Sequence, residues 1–314
     1  MQTNTSRAAI AALLVPILGA VAQAAPSFHS PLKKAVQALK GGIEEDKIAP
    51  YQWMLPSVIQ AGLVERGVSV FVGDAYATFR GRSFNMETDQ VGVGVTDWLQ
   101  ILYGNQYILA KGRQSTSRFD VAANYYSVRA VVKRPTAADP SALSLQFQAI
   151  RPDTGSAVEA GSSEEFAGTH NNVGSVNYLD RQKNQFQVQY TNVNGPDGVS
   201  ANVYSVGWGR DYELNELFLA RVQASMIGES YQAIGSSSNS EFKPLLYGCV
   251  AFQASDNLSL ELDLTCFPSG IPLAGGDFTA ISSFDLYNPG GVVSDLRSDF
   301  SAFASLRVMY HTKF

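Results

Sequence analysis

The sequence predicts an all-β fold: a transmembrane antiparallel up-and-down β-barrel of about twelve strands, preceded by a short, partly helical N-terminal segment. Three observations carry this expectation. From Val68 almost to the end of the chain, apolar and polar residues alternate with period two, the mark of strands with one apolar and one polar face. Only 16% of residues are charged, against roughly 25% in ordinary soluble domains, while 17 Phe, 14 Tyr and 27 Gly are present. Beyond the N-terminus no unbroken apolar run reaches the ~18 residues that a spanning helix needs. A chain of this kind crosses a bilayer with strands closed on themselves, because lipid offers nothing to an unpaired backbone group.

The N-terminus divides the chain. Arg7 is followed by an almost wholly apolar run, Ala8 to Ala20, and then by Ala22-Gln23-Ala24. A charged start, a short apolar core and a small-x-small site read as a secretory signal peptide over residues 1–24, cut after Ala24. No Cys follows that site, which argues against a lipoprotein. Residues 25–66 do not alternate. Leu32, Val36 and Leu39 fall on one helical face and Gly41-Gly42 stops the helix, with a further turn or two between Tyr51 and Gln60. The segment is either a periplasmic lead-in or a plug in the barrel mouth. Residues 67–314 form the barrel.

Alternating runs place strands at 68–80, 87–96, 98–108, 118–133, 142–151 and 168–178, then at 184–194, 199–213, 217–229, 242–254, 258–267 and 300–314. Three hinges repeat one pattern: Val95-Thr96-Asp97-Trp98-Leu99, Leu214-Asn215-Glu216-Leu217-Phe218 and Ala254-Ser255-Asp256-Asn257-Leu258. A three-residue loop at each keeps parity across the hinge, so Val91, Val93 and Val95 share a face with Leu99, Ile101 and Tyr103. The same rule joins Tyr204, Val206 and Trp208 to Phe218, Ala220 and Val222, and Val250 and Phe252 to Leu258, Leu260 and Leu262. Short hinges alternate with long connections at 152–166, 230–241 and 268–298, as periplasmic turns alternate with outer loops in barrels. In Gln185-Phe186-Gln187-Val188-Gln189-Tyr190 one face is apolar and the other is amide throughout.

The last strand, Ser301 to Phe314, sets Ala304, Leu306, Val308 and Tyr310 against Ser305, Arg307, Met309 and His311, and closes on an aromatic. It resembles the C-terminal assembly signal of bacterial outer-membrane β-barrels. That resemblance implies a porin-like barrel in the bacterial outer membrane, with Tyr310 and Phe314 read by the assembly machinery and lipid as the barrel's surroundings. Gly94 to Leu99 is also similar to a hairpin found in several families of outer-membrane channels.

Charge placement supplies the candidate site. Charges cost ~2–4 kcal/mol towards mid-bilayer lipid for Arg or Lys, so the inward set is read as Asp74, Tyr76, Arg80, Gln100, Arg129, Gln146, Gln187, Gln189, Arg221, Glu261, Asp263, Arg307 and His311. Arg129 and Arg221 are expected on one stretch of wall, Glu261 and Asp263 on another, with Arg307 beside the acids. The pore-lining group is then Arg129, Gln187, Gln189, Arg221, Glu261, Asp263 and Arg307, resembling the crossed charges of general diffusion porins. Alternatively, these charges pair and fill a narrow barrel.

The expected function is a passive channel for small solutes, and the alternative is a closed structural or adhesion barrel with no through-pore. No enzyme is expected: Thr169-His170-Asn171-Asn172 with Ser175 lacks the spacing of barrel phospholipases, and Glu164, Glu165 and His170 read as a solvated loop. Cofactor and metal motifs are absent, and a net charge of -5 gives no case for nucleic acid. Parity turns Cys249 inward opposite Asp263 and Cys266 outward opposite Leu246, so two free thiols are expected rather than a disulfide.

Overall fold

The computed structural model describes residues 67–79, 82–111, 118–136, 138–153, 170–182, 184–195, 198–214, 218–232, 237–255, 258–273 and 300–312. The expected signal peptide, the 25–66 segment, Arg80 and Phe314 lie outside the described residues.

Among the described residues twelve strands run in sequence order: β1 (Gly67–Phe79), β2 (Arg82–Gly94), β3 (Leu99–Lys111), β4 (Arg118–Lys133), β5 (Ala142–Asp153) and β6 (His170–Leu179). They continue as β7 (Asn184–Asn194), β8 (Ser200–Glu213), β9 (Phe218–Gln232), β10 (Asn239–Gln253), β11 (Leu258–Phe267) and β12 (Ser301–Thr312). Each pairs antiparallel with its neighbours in sequence, and β1 also pairs with β12, from Val68 against Thr312 to Tyr76 against Ala304. The sheet is therefore a closed up-and-down barrel in which each described strand pairs with a neighbour on both sides.

The hinge registers follow the expected parity. Val95 N–H donates to Leu99 C=O at 2.9 Å, Leu214 to Phe218 at 3.0 Å and Ala254 to Leu258 at 2.9 Å. A fourth hinge of the same form joins β6 to β7, where Asp180 N–H donates to Asn184 C=O at 2.9 Å and the Asp180 carboxylate accepts from the Gln182 and Asn184 amides at 2.8 Å. β2 differs from expectation. It begins at Arg82 rather than near 87, because the Asp89 and Glu87 positions interrupt the apolar row without ending the ladder to β1.

Facing follows the period of two. In β7 the burial pattern alternates through its whole length, with Gln185, Gln187, Gln189 and Thr191 buried and Phe186, Val188 and Tyr190 exposed. Exposed apolar side chains recur on the outside of every strand whose outer side chains are described beyond β1, from Val91 and Ile101 to Leu262 and Leu306. Aromatic residues edge this belt. At the long-loop end Tyr103 lies 5.3 Å from Tyr126 and Tyr190 lies 5.0 Å from Tyr204. Their hydroxyls donate to Asn124 at 2.9 Å and Asn202 at 2.7 Å, so the apolar surface hands over to amides there. At the short-turn end Phe218 pairs with Phe252 at 5.2 Å and Arg210 lies over the Tyr212 ring at 5.5 Å. An apolar outside with aromatic girdles and a polar inside is the inverse of a soluble core.

The side chains of Asp74 and Tyr76, expected to face inward, lie outside the described residues; their backbones pair with Leu306 and Ala304 of β12.

Candidate functional site

Inside the barrel, β8 to β12 bring a charged cluster together. Hinge parity turns Glu261 and Asp263 of β11 inward with Tyr247 and Cys249 of β10, and Ser305 and Arg307 of β12. Arg307 Nε lies 2.5 Å from Asp263 Oδ2, which also accepts from Ser305 Oγ at 2.9 Å. The Tyr247 hydroxyl donates to the other oxygen, Oδ1. The Cys249 thiol donates to Glu261 Oε1 at 3.0 Å.

Beside this group, Arg221 of β9 grips Asp211 of β8 with both Nε, at 2.6 Å, and Nη2, at 2.8 Å. A bidentate fork of this kind holds a carboxylate in one orientation. Gln185 adds a third donor to Asp211 at 3.2 Å.

Burial decides how these charges behave. Arg129, Arg221, Glu261, Asp263 and Arg307 are each 4% exposed or less. Removing such ions from water costs several kcal/mol apiece, offset only where geometry is good and the remaining lone pairs find donors. Asp263 and Asp211 meet that condition. Glu261 does so on one side only, since its Oε2 has no hydrogen-bond partner among the described residues.

The two basic residues do not share a wall. Arg129 lies on β4, five strands from Arg221 on β9, and its ladder partners are Gln100 and Gln146. Arg221 stands on the acidic side, directly opposite Asp211 and Cys249 in the two ladders. The expected opposition of basic and acidic walls is thus replaced by a mixed cluster on β8–β12 facing Arg129. Gln187 and Gln189 point inward within an amide and hydroxyl wall: Gln187 donates to Asn177 at 3.0 Å, Asn177 to Ser175 at 3.3 Å and Gln189 to Thr191 at 3.3 Å. Tyr310 faces outward on the closing strand, opposite Leu258 and Val70. Of His311 the backbone alone is described, opposite Ser69.

Sequence reasoning missed Asp211, Tyr247, Glu229 and Lys243, although all share hinge parity with Arg221 or Cys249. The last two anchor an unexpected feature. After β11 the chain turns at Gly270, whose φ of 84° lies in the left-handed region that a side chain disfavours. Ile271 and Leu273 then fold onto the inner face, each with no exposed surface. Lys243 Nζ donates to the Ile271 carbonyl at 3.4 Å, and the Leu273 amide donates to Glu229 Oε1. Ile227, Leu245, Phe267 and Phe303 are buried in the same half of the barrel wall, with Phe267 and Phe303 edge to face at 5.9 Å. His170, by contrast, is exposed on the outside while Ser175 is buried inside, so the sheet separates them.

No protein-family model matches the chain, and no curated protein matches it. Among solved structures it is similar to LpxR from Salmonella typhimurium, with 8% identity over 78% of this chain and 100% of that one and a TM-score of 0.44. It is also similar to the KdgM porin, with 7% identity over 77% and 98% and a TM-score of 0.41. An outer-membrane-expressed OmpT of Vibrio cholerae shows 9% identity over 78% and 96%, with a TM-score of 0.38. By its closed antiparallel sheet, apolar aromatic-edged outside and polar inside, the described part of the chain has the architecture of a transmembrane β-barrel.

Proposed function

We propose that this barrel is a passive channel for small polar solutes, with lipid outside and a narrow, selective lumen. The inner wall carries the reading: serines, threonines, asparagines and glutamines face inward from β3 to β12, interrupted by the acid and arginine cluster on β8–β12, by Arg129 on β4 and by Glu229 and Lys243. A barrel that only had to be filled would gain more from apolar residues, since each buried polar group needs a partner to offset its desolvation. Short turns face the periplasm in barrels of this type, which puts the Cys249–Asp263 level nearer the periplasmic mouth and the Ile271–Leu273 segment on the outer side. That segment narrows the lumen on one flank, as an in-turned loop does.

A second reading is a closed structural or adhesion barrel, and burial of seven described charges, Glu229 and Lys243 among them, to 4% exposure or less favours it. Planar-bilayer recording on the purified, heat-modifiable protein separates the two. The channel reading expects discrete current steps of small amplitude, with reversal potential set by the interior charges. Silent bilayers, with assembly intact, would leave the closed barrel.

A further inference from the structure

The interior cluster also has the makings of a metal site, a chemistry for which the sequence offers no motif. Cys249 and Asp263 are direct ladder partners, and Glu261 lies two residues before Asp263 on the same face. Their side chains converge: Cys249 Sγ and one carboxylate oxygen from each acid lie within 4.8 Å of one another, all buried. A second, independent observation concerns Glu261. The residue is 1% exposed, yet its Oε2 has no hydrogen-bond partner among the described residues. The nearby guanidiniums bind the aspartates, Arg307 through Nε to Asp263 and Arg221 through Nε and Nη2 to Asp211. A buried carboxylate oxygen without a donor is costly, and a cation is what would relieve it.

We propose that Cys249, Glu261 and Asp263 bind one thiophilic divalent transition-metal ion of the zinc class on the inner wall of β10 and β11. Sulfur in the donor set selects against calcium and magnesium, which take six or more oxygens, and favours Zn²⁺, Co²⁺ or Cd²⁺. In tetrahedral coordination, bonds of about 2.3 Å to sulfur and 2.0–2.2 Å to oxygen set ligand atoms about 3.3–3.7 Å apart. Donor atoms within 4.8 Å of one another reach that spacing when the side chains close by about an ångström. Three protein ligands leave a fourth position for water or a solute.

The step balances without redox chemistry: the metal–sulfur bond forms, the S–H bond breaks, and the proton leaves as H⁺. Glu261 Oε1 already accepts the thiol hydrogen and is placed to pass it on. Tyr247 and Ser305 orient Asp263 as outer partners orient a ligating carboxylate. The site belongs to the barrel wall and does not depend on whether the lumen conducts.

The test uses the full-length protein refolded in detergent, with heat-modifiable migration confirming the barrel in each variant. Titration with Co²⁺ as the probe is expected to give a thiolate-to-cobalt charge-transfer absorption that saturates at one equivalent and is displaced by Zn²⁺. Cys249→Ser should abolish that band and Cys266→Ser should leave it, since Cys266 faces outward opposite Leu246. Glu261→Gln should weaken binding at least about tenfold, and Tyr247→Phe, which removes only a positioning hydroxyl, by about 10–100-fold. No band in the wild type, a band that follows Cys266, or Co²⁺ affinity unchanged in Glu261→Gln would overturn the assignment.

Discussion

Arg307 reaches past Glu261, its direct ladder partner, and pairs with Asp263 one row away at 2.5 Å. Two more donors complete Asp263, the Tyr247 and Ser305 hydroxyls, whereas among the described residues Glu261 has the Cys249 thiol as its one hydrogen-bond donor. The two acids therefore play different parts. Asp263 ties three strands of the wall together, and Glu261 is held by a single donor.

The stability expectation follows from that division. Asp263→Asn leaves Arg307 charged and buried without its ion-pair partner, a loss on the order of 3–5 kcal/mol. Glu261→Gln keeps its volume and removes no ion pair, so it should cost far less. Thermal unfolding of the two variants in one detergent checks the order, and equal losses would refute the division.

Selectivity should follow the same residues. Glu261→Gln removes one negative charge from the interior, and reversal potentials under a salt gradient should move towards anions. Arg129→Gln, on the opposite wall, should move them towards cations. Both shifts should shrink as salt rises, because the Debye length falls from about 10 Å at 0.1 M to about 3 Å at 1 M. Shifts that ignore salt would mean that the charges act through structure and not through a field.

The in-folded segment sets a third expectation. Ile271 and Leu273 are held by burial and by Lys243 and Glu229. Replacing both with Ser forfeits about 1.5–3 kcal/mol of apolar burial per side chain and should release the segment. Single-channel current should rise and become noisier while heat-modifiability persists. Unchanged current would place the constriction elsewhere.

A fourth expectation concerns pH at the β4–β5 connection. The Asp139 carboxyl is held well below the usual carboxylate range, first by the Lys133 side chain at 2.7 Å and then by the Ser141 hydroxyl and amide. A folded-state pKa below the unfolded one stabilises above the ordinary carboxylate pKa, and the contribution fades only as pH falls through the depressed value. Protection of the Ser141 amide from hydrogen exchange should therefore persist from neutral pH down to about pH 4 and be lost only in stronger acid. Asp139→Asn should show reduced protection at neutral pH, and its difference from the wild type should vanish in that same strong acid.

Local rules made much of the barrel legible in the sequence. Strand facing has a period of two residues, and a three-residue hinge carries parity from one strand to the next, so short stretches were enough. The hinges closing at Val95–Leu99, Leu214–Phe218 and Ala254–Leu258 fixed which residues stand opposite, including Cys249 against Asp263 and Leu246 against Cys266. Tertiary structure alone decided what closure and side-chain reach bring together. Strand order set Arg221 on the acidic side and Arg129 across from it. Side-chain length let Arg307 choose the diagonal acid over the opposite one, and the 271–273 segment turned inward where Ile271 and Leu273 are buried while Lys243 and Glu229 still satisfy its backbone.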